Sequence, residues 1–138
     1  MRVVLDVNVL ISALLSPTGA PALTLAAWQD GRFDLIVSRL LLAEMKRALA
    51  YPKLRRRITA DEADEVVDWL ARSAIMARDP DGKPEVRAAD PGDDYLIALA
   101  ATADALLVSG DNHLLSLASE LPIRSPASFL ELLAAQEL

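Results

Sequence analysis

Asp6 ends the run Val3-Val4-Leu5, and Asp111 stands three residues past Leu106-Leu107-Val108. Both runs are short, apolar and rich in branched side chains, as buried parallel strands are. In open parallel sheets ligands bind beyond the carboxyl ends of the strands, so both acids are placed for chemistry. Asp94 opens a third apolar segment, Leu96 to Ala101, that leads into the second of those strands. All three lie near predicted helix N-termini, where free N–H groups favour negative charge. A helix cap or turn former would be placed the same way.

Glu44 falls on the edge of a buried helical face, between Leu40 and the arc of Leu41, Met45, Ala48 and Leu49, with Lys46 and Arg47 elsewhere on the helix. A carboxylate there needs a partner, since an unpaired buried charge is costly. A salt bridge to an arginine would serve, and so would a metal. Four acids gathered at one sheet end would repel one another unless a cation sat among them. Carboxylate oxygens suit Mg²⁺ or Mn²⁺. With no cysteine and a single histidine, zinc thiolates, disulfides and thiol nucleophiles are excluded.

The elements that must position these acids follow from the pattern. Strands are predicted at Val3–Leu5, Leu35–Val37, Ala74–Ala77, Leu106–Val108 and Pro122–Arg124. Helical patterning runs through Leu10 and Leu14, again from Pro21 to Trp28, and from Ser38, a natural cap, to about Ala50, where Tyr51-Pro52 stops it. Thr59 with Glu62 forms a capping-box pattern ahead of Ala63, Val66, Val67 and Leu70. A Pro/Gly/Asp-rich loop covers about 79–92, the segment from Asp94 is a buried helix, Leu114, Leu115 and Leu117 mark another, and Pro126 starts a last one. Strands alternating with helices predict an α/β/α sandwich around a parallel sheet of four or five strands, as one domain over 1–138.

At 138 residues, 53% of them apolar, the chain has the composition of a soluble globular domain. No apolar run approaches the ~20 residues that span a bilayer. Asp6 and Asn8 inside the apolar start argue against a secretory leader, and a cytoplasmic location is expected. The net charge of −6 counts against broad electrostatic attraction to nucleic acid. The charges are segregated, however: Lys53, Arg55, Arg56 and Arg57 crowd together, as an RNA-backbone contact or as a solvated surface. His113, the sole histidine, offers a general base or is simply exposed; metal chemistry does not require it. Asp79-Pro80-Asp81-Gly82 lacks the later ligands of a calcium loop and reads as a turn. Trp28 and Trp69, on helices with apolar neighbours, read as packing residues.

LDVNVLISALL, SRLLLAEMKRAL and DPGDDYLIALAATADALLVSGDNHLL, with YPKLRRR and the ending SPASFLELL, resemble PIN domains. In particular they resemble the VapC-like toxin components of bacterial toxin–antitoxin systems. The resemblance covers essentially the whole chain. It implies a five-stranded parallel sheet between helices and a ribonuclease whose acidic metal site is Asp6, Glu44, Asp94 and Asp111, with no covalent enzyme intermediate. Asn8 and Ser109 match supporting positions. Asp93 competes with Asp94 for the third role; Asp94 is preferred because it directly precedes the apolar helix, and Asp90 reads as a loop residue. The resemblance further implies Mg²⁺ or Mn²⁺, an RNA substrate, an antitoxin partner and a homodimer.

Two other α/β classes fail on residue types. A phosphoacceptor receiver would need an acidic pair after the first strand and a late lysine, but the strand ends Asp6-Val7-Asn8 and no lysine follows Lys83. A D-x-D phosphatase fails because position 8 is Asn. The remaining rival is a fold of the same kind acting as an interaction module without nuclease activity.

Overall fold

A computed structural model describes residues 1–136. Five parallel strands form one sheet: β1 (Arg2–Leu5), β2 (Asp34–Val37), β3 (Ile75–Met76), β4 (Leu106–Val108) and β5 (Ile123–Arg124), in the order β3-β2-β1-β4-β5. Val3 pairs with Leu35 on one side and with Leu106 on the other. β1 is thus the central strand, which is why Val3, Val4 and Leu5 are wholly buried and why the sequence there runs apolar instead of alternating.

Among the described residues eight α-helices connect and cover the strands: α1 (Val7–Leu15), α2 (Ala20–Gln29), α3 (Arg39–Leu49), α4 (Pro52–Arg55), α5 (Ala60–Ser73), α6 (Asp94–Thr102), α7 (Asn112–Leu115) and α8 (Pro126–Gln136). The result is the α/β fold expected, with the upper of the two strand numbers. The hydroxyl of Ser38 caps α3 by accepting from the Leu41 N–H at 3.3 Å. Thr59 and Glu62 form both halves of the capping box that starts α5, at 3.1 and 3.0 Å. α6 is buried along Leu96 to Ala100 and packs against β1 and β4.

The structure adds detail that the pattern did not carry. Tyr51-Pro52 ends α3 but also begins α4, Pro52 taking a first-turn position that needs no N–H. β3 is shorter than the four residues predicted, and both Ile75 and Met76 are exposed because the strand is an edge. α7 stops at Leu115, ahead of Leu117. Trp28 and Trp69 meet with ring centroids 5.2 Å apart, and Phe33 packs edge-on against Phe129 at 5.1 Å, so the aromatic side chains act in packing as expected. No single helix among the described residues is long and apolar enough to cross a membrane.

The strand order sets the position of the site. Successive strands progress outward in one direction from β1 through β2 to β3, and the chain then returns to the other side of β1 to lay down β4 and β5. The direction reverses between β1 and β4. Helices and loops leave those two strands in opposite directions, opening a crevice at their carboxyl ends.

Candidate active site

Asp6 and Ser109 are the residues that follow β1 and β4. The Asp6 N–H donates to the Val108 carbonyl at 2.9 Å, which extends the ladder one step and fixes the two strand ends side by side. Ser109, wholly buried, donates its hydroxyl to Oδ2 of Asp6 at 2.7 Å and accepts from the Asp111 N–H at 3.0 Å. One side chain therefore orients Asp6 and also fixes the turn that carries Asp111. Asp111 in turn accepts from the His113 N–H through Oδ1, at 2.9 Å, and starts α7. His113 contributes that backbone group to the site while its residue is exposed.

Asp6 is 6% exposed. Burial pushes its carboxyl above the ordinary carboxylate value, and the charge of Asp111 pushes in the same direction; the Ser109 hydroxyl and the amides of Asn8 and Val7 oppose them.

The two adjacent aspartates at the start of α6 face different surroundings. The Asp94 carboxylate is occupied by the loop: Arg87 donates through Nε at 2.7 Å and approaches with Nη2 at 2.6 Å, both at Oδ2, while the Ala88 N–H donates to Oδ1 at 2.7 Å. These bonds, Arg87 foremost, hold Asp94 below the ordinary carboxylate range. Asp93 has the opposite environment. Burial, followed by the charges of Asp6, Asp90, Asp111 and Asp94, pushes it up to about 6. The acid electrostatically joined to Asp6 and Asp111 is Asp93, and Asp94, the one preferred from the sequence, is tied to Arg87. The short 3-10 turn Pro91–Asp93, capped by Asp90 through the Gly92 N–H at 2.9 Å, rotates the first residue away from the second. Nothing in the spelling Asp-Asp distinguishes them.

Glu44 is half-exposed and paired with Arg47 one turn along α3. Arg47 is thus the partner of Glu44, on its own side of the helix, and not on a separate face; the i,i+3 spacing was there to be read. Glu44 still reaches the acidic mouth electrostatically, because Tyr95 senses it. Burial and then the charges of Asp6, Glu44, Asp93 and Asp79 hold the Tyr95 phenol well above its ordinary value, so the group stays neutral. Tyr95, Arg87 and Asp79 were not marked as site residues from the sequence. Asp79 accepts from the Leu40 N–H at the start of α3, at 3.0 Å, and its Oδ1 is buried without a partner.

Asn8 is exposed on the first turn of α1. The basic run lies elsewhere: Arg57 donates to the carbonyl of Leu15, the last residue of α1, at 3.0 Å, whereas Asp6 precedes the first. Nine helical residues, roughly 14 Å at 1.5 Å each, separate those ends. Arg55 keeps Nη1 buried with no partner, and Arg56 is exposed.

The five-stranded parallel sheet between helices agrees with comparison to known proteins. The PIN domain family model matches residues 2–113, and the chain belongs to that family. The uncharacterized protein MJ1680 of Methanocaldococcus jannaschii is 27% identical over 141 residues, which covers 95% of this chain and 90% of that protein. Among solved structures, PAE2754 of Pyrobaculum aerophilum superposes with a TM-score of 0.62 at 23% identity, covering 98% of this chain and 90% of that one. VapBC2 of Rickettsia felis, solved bound to a DNA fragment from their promoter, gives a TM-score of 0.62 at 13% identity, covering 91% and 98%. At these identities the superpositions establish the fold.

Proposed function

We propose that the chain is a metal-dependent endoribonuclease that hydrolyses RNA phosphodiester bonds, the toxin of a type II toxin–antitoxin pair. The observation that carries this reading is the gathering of carboxylates at the β1/β4 crevice. Buried Asp6 is held by Ser109, which also fixes the turn carrying Asp111. Burial, followed by the charges of Asp6, Asp90, Asp111 and Asp94, pushes Asp93 up to about 6. A divalent cation would neutralise that gathered negative charge. The donor set fits: it consists of carboxylate oxygens, which suit Mg²⁺ or Mn²⁺. Among the described residues no three His, Cys, Asp or Glu side chains stand close enough together to hold an ion as they are.

Asp6 and Asp93 are the principal ligands in this reading, with Asp111 and Glu44 completing the site directly or through water. Asp94 serves by holding the loop. When bound, the ion activates a water and neutralises charge on the scissile phosphate. Ser109 holds Asp6 in one orientation, and Tyr95 offers a neutral phenol among the acids, able to donate a hydrogen bond without adding charge. Arg56, with Arg55 and Arg57 beside it, attracts the RNA backbone at the far end of α1. An antitoxin that covers the acidic mouth, a homodimer and a cytoplasmic location complete the reading; VapBC2 of R. felis lends it support as a fold relative.

The test is cleavage of a short fluorogenic RNA panel by the purified chain with Mn²⁺, with Mg²⁺ and with chelator, beside Asp6→Asn. Metal-dependent cleavage lost in Asp6→Asn supports the reading; cleavage unaffected by that substitution removes it. A second reading, an interaction module, is favoured by one observation: Glu44 and Asp94 already have arginine partners in Arg47 and Arg87. It gains if metal neither stabilises the protein nor elicits cleavage.

A further inference from the structure

A groove of about 340 Å³ adjoins the acidic mouth on its α1 side, lined by Asn8, Ser12, Pro21, Gly110, Asp111 and Pro126 among others. We infer that it is a nucleobase pocket, which receives the base next to the scissile phosphate and gives the enzyme its sequence preference. The inference rests on the ribonuclease reading for its substrate class. It adds the place where that substrate is read.

Asp111 belongs to both sites: it belongs to the acid group that acts on Asp6 and Asp93, and it lines the groove. A phosphodiester held at the acids therefore has its adjoining nucleoside within reach of the groove. The volume lies at the lower end of the range of small-ligand sites. The lining selects a base over a phosphate. No Lys or Arg lines it, and its one charge is the negative Asp111. Pro21, from the start of α2, and Pro126, buried at the start of α8, add apolar surface to the lining, which suits a heterocycle better than a phosphate.

Asn8 and Ser12 stand one helical turn apart on α1 and are both exposed, so they project from one face. An amide offers a donor and an acceptor side by side, and a hydroxyl adds either, the combination that reads base edges in unpaired RNA. Gly110 completes the wall: a side chain built there would meet nothing within 4 Å, so its backbone lies open to a ligand. This gives Asn8 a role of its own, beyond support of Asp6.

The probes are the four ribonucleoside 5′-monophosphates and ribose 5-phosphate, titrated into ¹⁵N-labelled protein in chelator and followed by amide shifts. The expected result is saturable shifts at Asn8, Ser12 and Gly110, at least threefold tighter for one base than for the weakest, with none from ribose 5-phosphate. Ser12→Phe and, independently, Gly110→Leu fill the groove from two walls and should abolish those shifts while dispersion elsewhere is kept. Asp6→Asn should retain them. Shifts equal for all five probes, or confined to residues 53–57, overturn the proposal. Because no metal and no cleavage enter the measurement, the pocket and the nuclease reading fail separately.

Discussion

The hydroxyl of Ser109 donates to Oδ2 of Asp6 at 2.7 Å, joining residues 103 positions apart at the point where the sheet reverses direction. Because the same oxygen accepts from the Asp111 N–H, Ser109→Ala removes two partners at once. Leaving a buried polar group unpaired costs about 1–3 kcal/mol, and a melting curve of Ser109→Ala should show a loss of that order. Cleavage should fall with it, since Asp6 loses the bond that orients it. Unchanged stability would place the hydroxyl in solvent.

Asp93 and Asp94 should respond oppositely to the same substitution. In metal-free protein at neutral pH, Asp93→Asn relieves repulsion from Asp6, Asp90 and Asp111 and should raise the melting temperature. Asp94→Asn weakens the bonds to Arg87 and Ala88 and should lower it. Added Mn²⁺ should stabilise Asp94→Asn and have much less effect on Asp93→Asn, by the mass action of a ligand that binds only the folded state. The reverse pattern would favour Asp94 over Asp93 as a ligand of the proposed metal site.

The raised Asp93 also predicts a pH trend. A carboxyl at about 6 in the folded chain and near 3.8 when unfolded binds its proton more tightly in the folded state. Its contribution is therefore unfavourable above pH 6 and is relieved as the pH falls toward 4. Metal-free wild type should gain stability relative to Asp93→Asn between pH 7 and pH 4. The lowered Asp94 acts in the opposite direction, its contribution being lost as pH falls through its depressed value. Saturating Mn²⁺ should abolish the Asp93 trend, because the ion then replaces the proton. Parallel pH profiles for wild type and Asp93→Asn would contradict the assignment.

Away from the site, Thr59→Ala should destabilise the fold by about 1 kcal/mol through loss of the α5 cap, without altering cleavage at temperatures where the protein stays folded. Phe129→Ala should cost about 3–5 kcal/mol, because Phe129 is wholly buried and its ring meets Phe33. Urea denaturation measures both.

Most of the fold was legible because its strands are buried on both faces and leave unbroken apolar runs such as Val3-Val4-Leu5. Thr59 and Glu62 announced α5 because a capping box is a local bond pattern. β3 was blurred because an edge strand with both residues exposed lacks that pattern. Asp6 and Asp111 could be marked as candidates from strand ends, a property of chain order. What separates the surroundings of Asp93 from those of Asp94 could not be read that way, since it depends on a 3-10 turn and on an arginine seven positions earlier in an irregular loop. Tyr95 was missed because its burial comes from tertiary packing, and Arg47 because both faces of α3 were judged by hydropathy alone.

The strand order has a further consequence for biosynthesis. Since β1 pairs with β4 and Asp6 is held by Ser109, the first acid remains an isolated carboxylate until the final third of the chain has left the ribosome. In the ribonuclease reading proposed above, the site would stay incomplete throughout most of translation, when the chain lies closest to the RNA that encodes it.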